Sequence, residues 1–293
     1  MTSLRIWIMA ARVRTLPAAV APVLVGTSLA IRDGQFDGFA FVFALLGALF
    51  IQVGTNLSND YSDARRGADT EDRLGPVRVT AGGLVPPKQV LTATYVSFGL
   101  AVLCGIYLIA VAGPVLVLIG AASIVAGVLY TGGPRPYGYE GLGEVFVFLF
   151  FGIVAVSGSF YVQIQELPWQ VFVLAVPVGL IAAAILVVNN VRDAPTDARV
   201  GKRTLAVRLG RRRARDLLGA CVYGAFPIPV IVWLAGSFDA WLLLPWLALP
   251  LAVPLVRTVR SHDDGPTLNA ALAQAGRVQL VFCLLLSAGL LAS

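Results

Sequence analysis

Hydrophobic residues along this chain come in long runs, with charges and turn-forming residues gathered between them. A run of about 20 apolar residues crosses a bilayer as a helix. Reading each run from one charged or turn-rich boundary to the next predicts nine spans. They cover about Leu16 to Ile31, Phe39 to Asn59, Val90 to Ala112, Pro114 to Tyr130, Val145 to Val162, Trp169 to Asn190, Leu217 to Leu234, Trp241 to Val256 and Asn269 to Leu291. Little more than Gly113 separates the third from the fourth, so those two form a tight helical hairpin. The ninth opens on polar residues and carries Arg277, which must snorkel or face protein. Residues 1–15 read as a short interfacial helix, with Leu4, Trp7 and Ile8 toward lipid and Arg12 and Arg14 reaching for headgroups. With three arginines and a span leading straight into another, that segment is an anchor rather than a cleaved leader.

Composition agrees with the pattern. Of the 293 residues 58% are hydrophobic and 13% charged, against roughly 25% charged in an ordinary soluble domain, and the mean hydropathy is +0.82. These values exclude a soluble enzyme and a disordered chain, while three cysteines far apart in apolar runs exclude a disulfide scaffold. The expected fold class is therefore all-α, a polytopic membrane protein. Of the 22 cations only Arg32 falls in a loop of the opposite parity. Since Lys and Arg accumulate on the cytoplasmic side, the N-terminus is expected in the cytoplasm and the C-terminus outside an inner (plasma) membrane. The net charge of +6 is mostly this topology signal: membrane lipids with anionic headgroups are sufficient partners, and nucleic acid is not implied.

Two connections, residues 59–89 and 189–216, are longer than the rest, and function is to be sought there. They resemble one another: Asn59-x-x-x-Asp63-Ala64-Arg65-Arg66-Gly67 aligns with Asp193-x-x-x-Asp197-Ala198-Arg199-Val200-Gly201. Each follows an even-numbered span, four helices apart, which predicts two pseudo-repeated four-helix halves, residues 1–138 and 139–260, plus one extra helix at 269–291. All would form a single integral-membrane domain, with a shared site between the halves.

At 100° per residue Gln52, Asn56, Asn59, Asp60 and Asp63 fall within an arc of about 100°, a polar stripe that cannot face lipid. Asn189, Asn190, Asp193 and Asp197 fit a similar arc, provided that the helix continues past Pro195, which removes a backbone hydrogen bond. Carboxylates gathered in this way repel one another unless a cation or protons compensate. Oxygen-only ligands suit Mg²⁺ or Mn²⁺, and Mg²⁺ tends to use a few carboxylates plus phosphate oxygens. Arg65, Arg66, Arg199, Lys202 and Arg203 would complement the remaining phosphate charge. The plainer alternative makes Asp63 with Arg66, and Asp197 with Lys202, surface ion pairs closing helix ends. The segment Tyr130-Thr-Gly-Gly-Pro-Arg135-Pro-Tyr137 either orders a loop over the site or is a Gly/Pro turn with interfacial tyrosines. Arg14 is either a headgroup anchor or a diphosphate contact.

Taken together, these residues resemble the UbiA superfamily of intramembrane aromatic prenyltransferases. The resemblance covers nearly the whole chain, and the family's nine-helix form agrees with the count above. Within it, Asn56-Leu-Ser-Asn-Asp-Tyr-Ser-Asp63, Gly67-Ala-Asp69-Thr70, Arg78-x-x-Ala81-Gly-Gly, Tyr130-Thr-Gly-Gly-Pro, Asn189-Asn-Val-Arg-Asp193 and Gly201-Lys-Arg-Thr204 look like the 1,4-dihydroxy-2-naphthoate prenyltransferase (MenA) branch. So does the opening Arg14-Thr-Leu-Pro through Gly26. The resemblance implies a metal set of Asn59, Asp60, Asp63, Asp193 and Asp197. Many members carry a further acidic residue where this chain has Gly67, and Asp69 is the candidate in its place. It implies Asp63, Asp193, Asp197 and Tyr130 as catalytic candidates, and Asn56, Arg66, Lys202, Arg203, Arg14, Arg135 and Tyr137 as candidate diphosphate or substrate contacts. The implied substrates are a polyprenyl diphosphate from the membrane and 1,4-dihydroxy-2-naphthoate from the cytoplasm, joined with loss of the carboxyl group. Rival readings are a related enzyme acting on 4-hydroxybenzoate, homogentisate or haem, and a cation-coupled transporter. Transporter sites usually lie at the bilayer midplane, whereas these carboxylates stand at span ends beside arginines.

Overall fold

The computed structural model describes residues 3–70, 73–236 and 238–293, and among these every regular element is helical. Residues 1 and 2 of the expected interfacial segment, and residues 71 and 72 of the first long connection, lie outside the described residues. The helices are α1 (Ser3–Ala11), α2 (Pro17–Arg32), α3 (Gly38–Arg65), α4 (Pro87–Ala112) and α5 (Val115–Leu129). They continue as α6 (Gly143–Ile164), α7 (Trp169–Arg199), α8 (Leu205–Leu234), α9 (Ala240–Ser261) and α10 (Gly265–Ala292). Sequence explains their ends: Asp37 caps α3 by accepting the amides of Phe39 and Ala40, Asp264 caps α10 through Thr267, and α4 starts at a proline whose missing N–H costs nothing there.

Seven helices are long and apolar enough to cross a membrane, and an eighth results if α2 and the segment before it, bent by 51°, form one crossing. The expected nine is not reached by that measure, because α5 has 15 residues and at 1.5 Å per residue rises only about 22 Å. The chain is thus an integral membrane protein with seven or eight clear crossings.

The largest apolar cluster joins α2 with α6 to α10, around the deeply buried α7. A much smaller one, with Val23, Ala40, Ala44, Ala112, Leu116 and Val162, holds α3 to α5 against α2 and α6. Between the two lies an elongated cavity, kept open because the facing helices carry small side chains such as Ala44, Gly47, Gly120 and Gly158. Alongside it, α6 loosens into a π-helical stretch from Leu149 to Val154. There Gly152 meets Gly179 of α7 so closely that an added Cβ would lie 2.5 Å from the Gly179 Cα.

Pro195 does not end α7, which runs unbroken to Arg199. A proline at 195 leaves the carbonyl of Val191 without its i+4 donor. Arg211 of α8 supplies that donor, its Nε lying 3.3 Å from the Val191 oxygen.

Candidate active site

The last turns of α3 carry Asn56, Asn59, Asp60 and Asp63, all buried, of which Asn56 and Asn59 line one end of the cavity. Asn56 donates to the Ala11 carbonyl (3.0 Å) and to the Thr15 hydroxyl (3.2 Å), and Gln52 donates to Thr15 at 3.1 Å. These bonds fasten the turn between α1 and α2, where Arg12 takes a left-handed backbone (φ 51°) and points into the cavity lining. Asp60 has a different task from its neighbours. Its two oxygens accept the amides of Val79 (3.1 Å) and Thr80 (2.9 Å). They thereby fold the connection after α3 back over the helix, so Asp60 anchors that loop. Arg73 and Arg78 of that connection are brought to the cavity wall.

Two cationic bridges then join the acidic groups of the two halves. Lys202 Nζ lies 3.5 Å from Asp63 Oδ2 and 3.8 Å from Asp197 Oδ1. Arg73 pairs with Asp69 and lies 3.9 Å from Asp193 Oδ2, while Arg78 Nε lies 3.5 Å from Asp69. Asp193 is further held by its neighbour Arg192, whose Nε and Nη2 donate to Oδ1 (2.8 Å) and Oδ2 (2.6 Å). Asn189 adds a donor at 3.5 Å. Arg192, buried at 1% exposure, also donates to Asn189 and to Asn269 of α10, and Asn269 in turn donates to the Leu74 carbonyl. The compensating charge expected from a metal is therefore supplied in large part by the chain's own Lys202, Arg73, Arg78 and Arg192.

The electrostatics follow from burial and these neighbours. Burial works against the Lys202 ammonium, but Asp63 and Asp197 outweigh it and raise its pKa, so it stays charged. Burial pushes the Asp69 carboxyl up to about 6, against the pull of Arg73. Tyr139 donates to Asp63 Oδ1 at 2.9 Å, and burial first, then the Asp63 charge, raise its phenol pKa. It is the donor in that bond.

Several polar atoms here remain without a hydrogen-bond partner although buried: Asn59 Oδ1, Asp63 Oδ2, Asp69 Oδ2 and Asp197 Oδ2 among acceptors, and Arg12 Nη2, Arg73 Nε and Arg78 Nε among donors. Such atoms cost about 1–3 kcal/mol each unless a ligand, ion or water meets them. Among the described residues no three His, Cys, Asp or Glu side chains stand together as a metal cluster. The acceptor set is all oxygen and comes in carboxylate pairs, which fits a hard divalent cation that completes its shell with water and phosphate oxygens.

The remaining sequence candidates are dispersed. Tyr130, Tyr137 and Asn189 line the cavity. Tyr137 is a packed wall residue, stacked on Phe146 at 3.9 Å and donating to the Ala126 carbonyl. Arg66 clamps the carbonyls of Thr131 and Gly133 and lies 5.5 Å over the Tyr139 ring. Arg14, Arg135 and Arg203 are exposed and off the cavity lining. Sequence reasoning missed Arg12, Arg73, Tyr139 and the buried Glu144–Asn190 hydrogen bond (2.9 Å) that ties α6 to α7. Arg192 had a visible signal, since an arginine inside an apolar helix must find partners. Arg73 sits in an aperiodic loop and Tyr139 in a single short helical turn, Tyr137–Glu140, and neither had one.

The cavity has a volume of about 330 Å³. From Asn59 at its polar end to Ala44 is fifteen residues of α3, a depth of about 22 Å, walled by groups such as Val23, Leu108, Ile119 and Phe150. Comparison with known proteins agrees with this geometry. The profile of the UbiA prenyltransferase family matches residues 19–291. A 1,4-dihydroxy-2-naphthoate octaprenyltransferase from Mycobacterium tuberculosis is 41% identical over 290 residues, 99% of this chain and 98% of that one. The Escherichia coli protein of the same name is 36% identical over 98% of this chain and 95% of its own. Among solved structures, a UbiA homologue from Archaeoglobus fulgidus bound to GPP and Mg²⁺ superposes with a TM-score of 0.69 at 16% identity, covering 98% of this chain and all of the other.

Proposed function

The chain belongs to the UbiA prenyltransferase family, and from that premise we propose that it transfers a polyprenyl group from an allylic diphosphate to 1,4-dihydroxy-2-naphthoate in menaquinone biosynthesis. Buried donors and acceptors without a hydrogen-bond partner, either lining the polar end of a long apolar cavity or paired with its lining cations Lys202 and Arg73, carry the reading. Arginine donors call for an anion and paired carboxylate oxygens call for a cation. A metal-bound diphosphate supplies both, and its tail fits the apolar depth. The naphthoate acceptor rests on the name shared by relatives at 36–41% identity.

In this reading Arg12, Arg73, Arg78 and Lys202 bind the diphosphate, their charges stabilising it as it leaves the allylic carbon. Asn59, Asp63 and Asp197, with Asp193 and Asp69 alongside, would hold a divalent ion, Mg²⁺ or Mn²⁺, which adds Lewis-acid stabilisation of the same leaving group. The allylic C–O bond breaks, the electron-rich ring carbon bearing the carboxylate forms the new C–C bond, and CO₂ departs to restore aromaticity. The product is demethylmenaquinol, which becomes demethylmenaquinone only after release, by loss of two electrons and two protons to an external oxidant such as O₂. Tyr130, Tyr137 and Phe146 present aromatic surface near the polar end, suited to shielding an allylic cation. Tyr139 and Arg192 position Asp63 and Asp193.

The same reading takes the site to the cytoplasmic leaflet of the inner membrane, N-terminus in the cytoplasm, with nine helices in two related halves. The test is product mass from purified protein given polyprenyl diphosphate and 1,4-dihydroxy-2-naphthoate, with EDTA and Mg²⁺ add-back. Prenylated, decarboxylated product that vanishes in EDTA is expected. Preferential use of 4-hydroxybenzoate, homogentisate or haem would overturn the acceptor, and undiminished turnover in EDTA would overturn the metal.

A further inference from the structure

Away from the cavity, the start of α8 and the end of α9 gather six arginines, Arg211, Arg212, Arg213, Arg215, Arg257 and Arg260, against three aspartates, Asp216, Asp263 and Asp264. The aspartates are already engaged. Asp263 pairs with Arg211 (2.9 Å) and Arg215 (2.7 Å), Asp216 pairs with Arg260 at 3.2 Å, and Asp264 caps α10. Arg212, Arg213 and Arg257 are exposed and have no carboxylate within ion-pair distance among the described residues. Arg212, Arg215, Asp216 and Arg260 line a separate surface recess of about 280 Å³. Gly219 makes room for it, since an added Cβ there would lie 3.1 Å from Arg260 Nη2. At its base Arg215 Nε is buried with no acceptor.

The place of this recess in the bilayer is fixed by helix length. From Arg215 to Leu234 is nineteen residues of α8, about 28 Å of rise, close to the hydrocarbon thickness of about 30 Å. The arginines therefore lie where acyl chains give way to headgroups. Below them, exposed Ala220 and Tyr223 continue the row of Arg212 and Asp216 at helical spacing, offering an apolar stripe along α8 for an acyl chain. We propose that this recess binds the phosphate headgroup of an anionic phospholipid, with Arg212, Arg215 and Arg260, which line it, as donors and the exposed Arg257, three residues before Arg260 on α9, adding positive charge beside it. Lipid phosphate meets the Arg215 donor and offsets one of the three excess positive charges, whereas a zwitterionic headgroup brings its own cation and offsets none. Arg211 connects the recess to α7 by holding the Val191 carbonyl, two residues before Asp193.

The test uses the full chain in detergent, with bound lipid counted by native mass spectrometry during titration with phosphatidylglycerol, phosphatidylcholine or inorganic phosphate. Phosphatidylglycerol is expected to be retained at least roughly tenfold more tightly than phosphatidylcholine, with no competition from millimolar phosphate. Arg212 and Arg257 make no ion pair, so the double variant Arg212→Gln/Arg257→Gln should fold normally and lose roughly tenfold in that preference, one or two charged hydrogen bonds' worth. A control pair with the same charge change, Arg5→Gln/Lys88→Gln, should lose none. Equal retention of both lipids, equal loss in the two variants, or displacement by free phosphate or polyprenyl diphosphate would overturn the proposal.

Discussion

Replacing Lys202 by methionine removes the one ammonium that touches acidic groups from both halves while keeping an unbranched apolar stem. At separations of 3.5 and 3.8 Å, each attraction is about 4–5 kcal/mol at an effective dielectric constant near 20. Much of that only offsets the desolvation of three charges. Taking one partner from a buried pair costs about 3–5 kcal/mol net, here nearer the low end because Tyr139 still donates to Asp63. For a chain of this size that is a fall of roughly 6–10 °C in melting temperature. The sharper consequence concerns the metal. If Asp63 and Asp197 hold the proposed divalent ion, in the parent protein it has to displace Lys202 from Asp63 Oδ2 and Asp197 Oδ1, whereas in Lys202→Met those oxygens are open. Mg²⁺ at a hundredfold over its dissociation constant would return about 2.7 kcal/mol. Differential scanning fluorimetry of detergent-solubilised protein, first in EDTA and then with millimolar Mg²⁺, reads both effects. The variant should melt lower in EDTA and gain more from Mg²⁺ than the parent does, and Lys202→Arg should do neither. An unchanged melting temperature in EDTA, or a Mg²⁺ shift no larger than that of the parent, would refute Lys202 as the resident counter-charge of a cation site.

Three further outcomes are expected. Arg211→Ala leaves the Val191 carbonyl unsatisfied and should cost about 1–3 kcal/mol in unfolding experiments. Most of that should be recovered in the Pro195→Ala background, where residue 195 regains an N–H of its own. Gly158 faces the cavity with nothing nearer its absent Cβ than Ile119 at 4.0 Å. Gly158→Leu should therefore fold normally yet raise KM for a long polyprenyl diphosphate much more than for dimethylallyl diphosphate. Asp69, lifted to about 6 from 3.8, binds its proton more tightly folded than unfolded. Its contribution to stability is full below about pH 4 and lost as pH rises through about 6, at most about 3 kcal/mol at about 1.36 kcal/mol per pKa unit. Melting temperatures of parent and Asp69→Asn across pH 4–7 should diverge in that direction, the variant gaining relative to the parent as pH rises.

How far the chain could be read in advance depended on which physical signal each feature leaves. Helices leave a long one: runs of apolar residues placed α3, α4, α6, α7 and α10 within a few residues at their apolar ends, and the polar stripe of α3 was visible because carboxamides and carboxylates at helical spacing cannot face lipid. The local rule did not show the loop-anchoring role of Asp60, since nothing in the spacing separates a stripe residue that faces the cavity from one that grips the amides of Val79 and Thr80. It left Pro195 undecided because the remedy lies in another helix: a guanidinium sixteen residues on, beyond a glycine with non-helical backbone, gives the Val191 carbonyl its hydrogen bond. The largest gap was in the charge balance. Adjacent acidic motifs suggested a deficit of positive charge to be met from outside, yet Lys202 and Arg73 each lean on carboxylates from both halves of the chain. In the proposed function such a site would stay assembled between turnovers, because its cations hold the acidic groups together until a metal and a diphosphate arrive as one neutralising pair. That gives the two long connections a common physical purpose: each delivers one bridging cation, Arg73 from the first and Lys202 from the second, to acids of both halves.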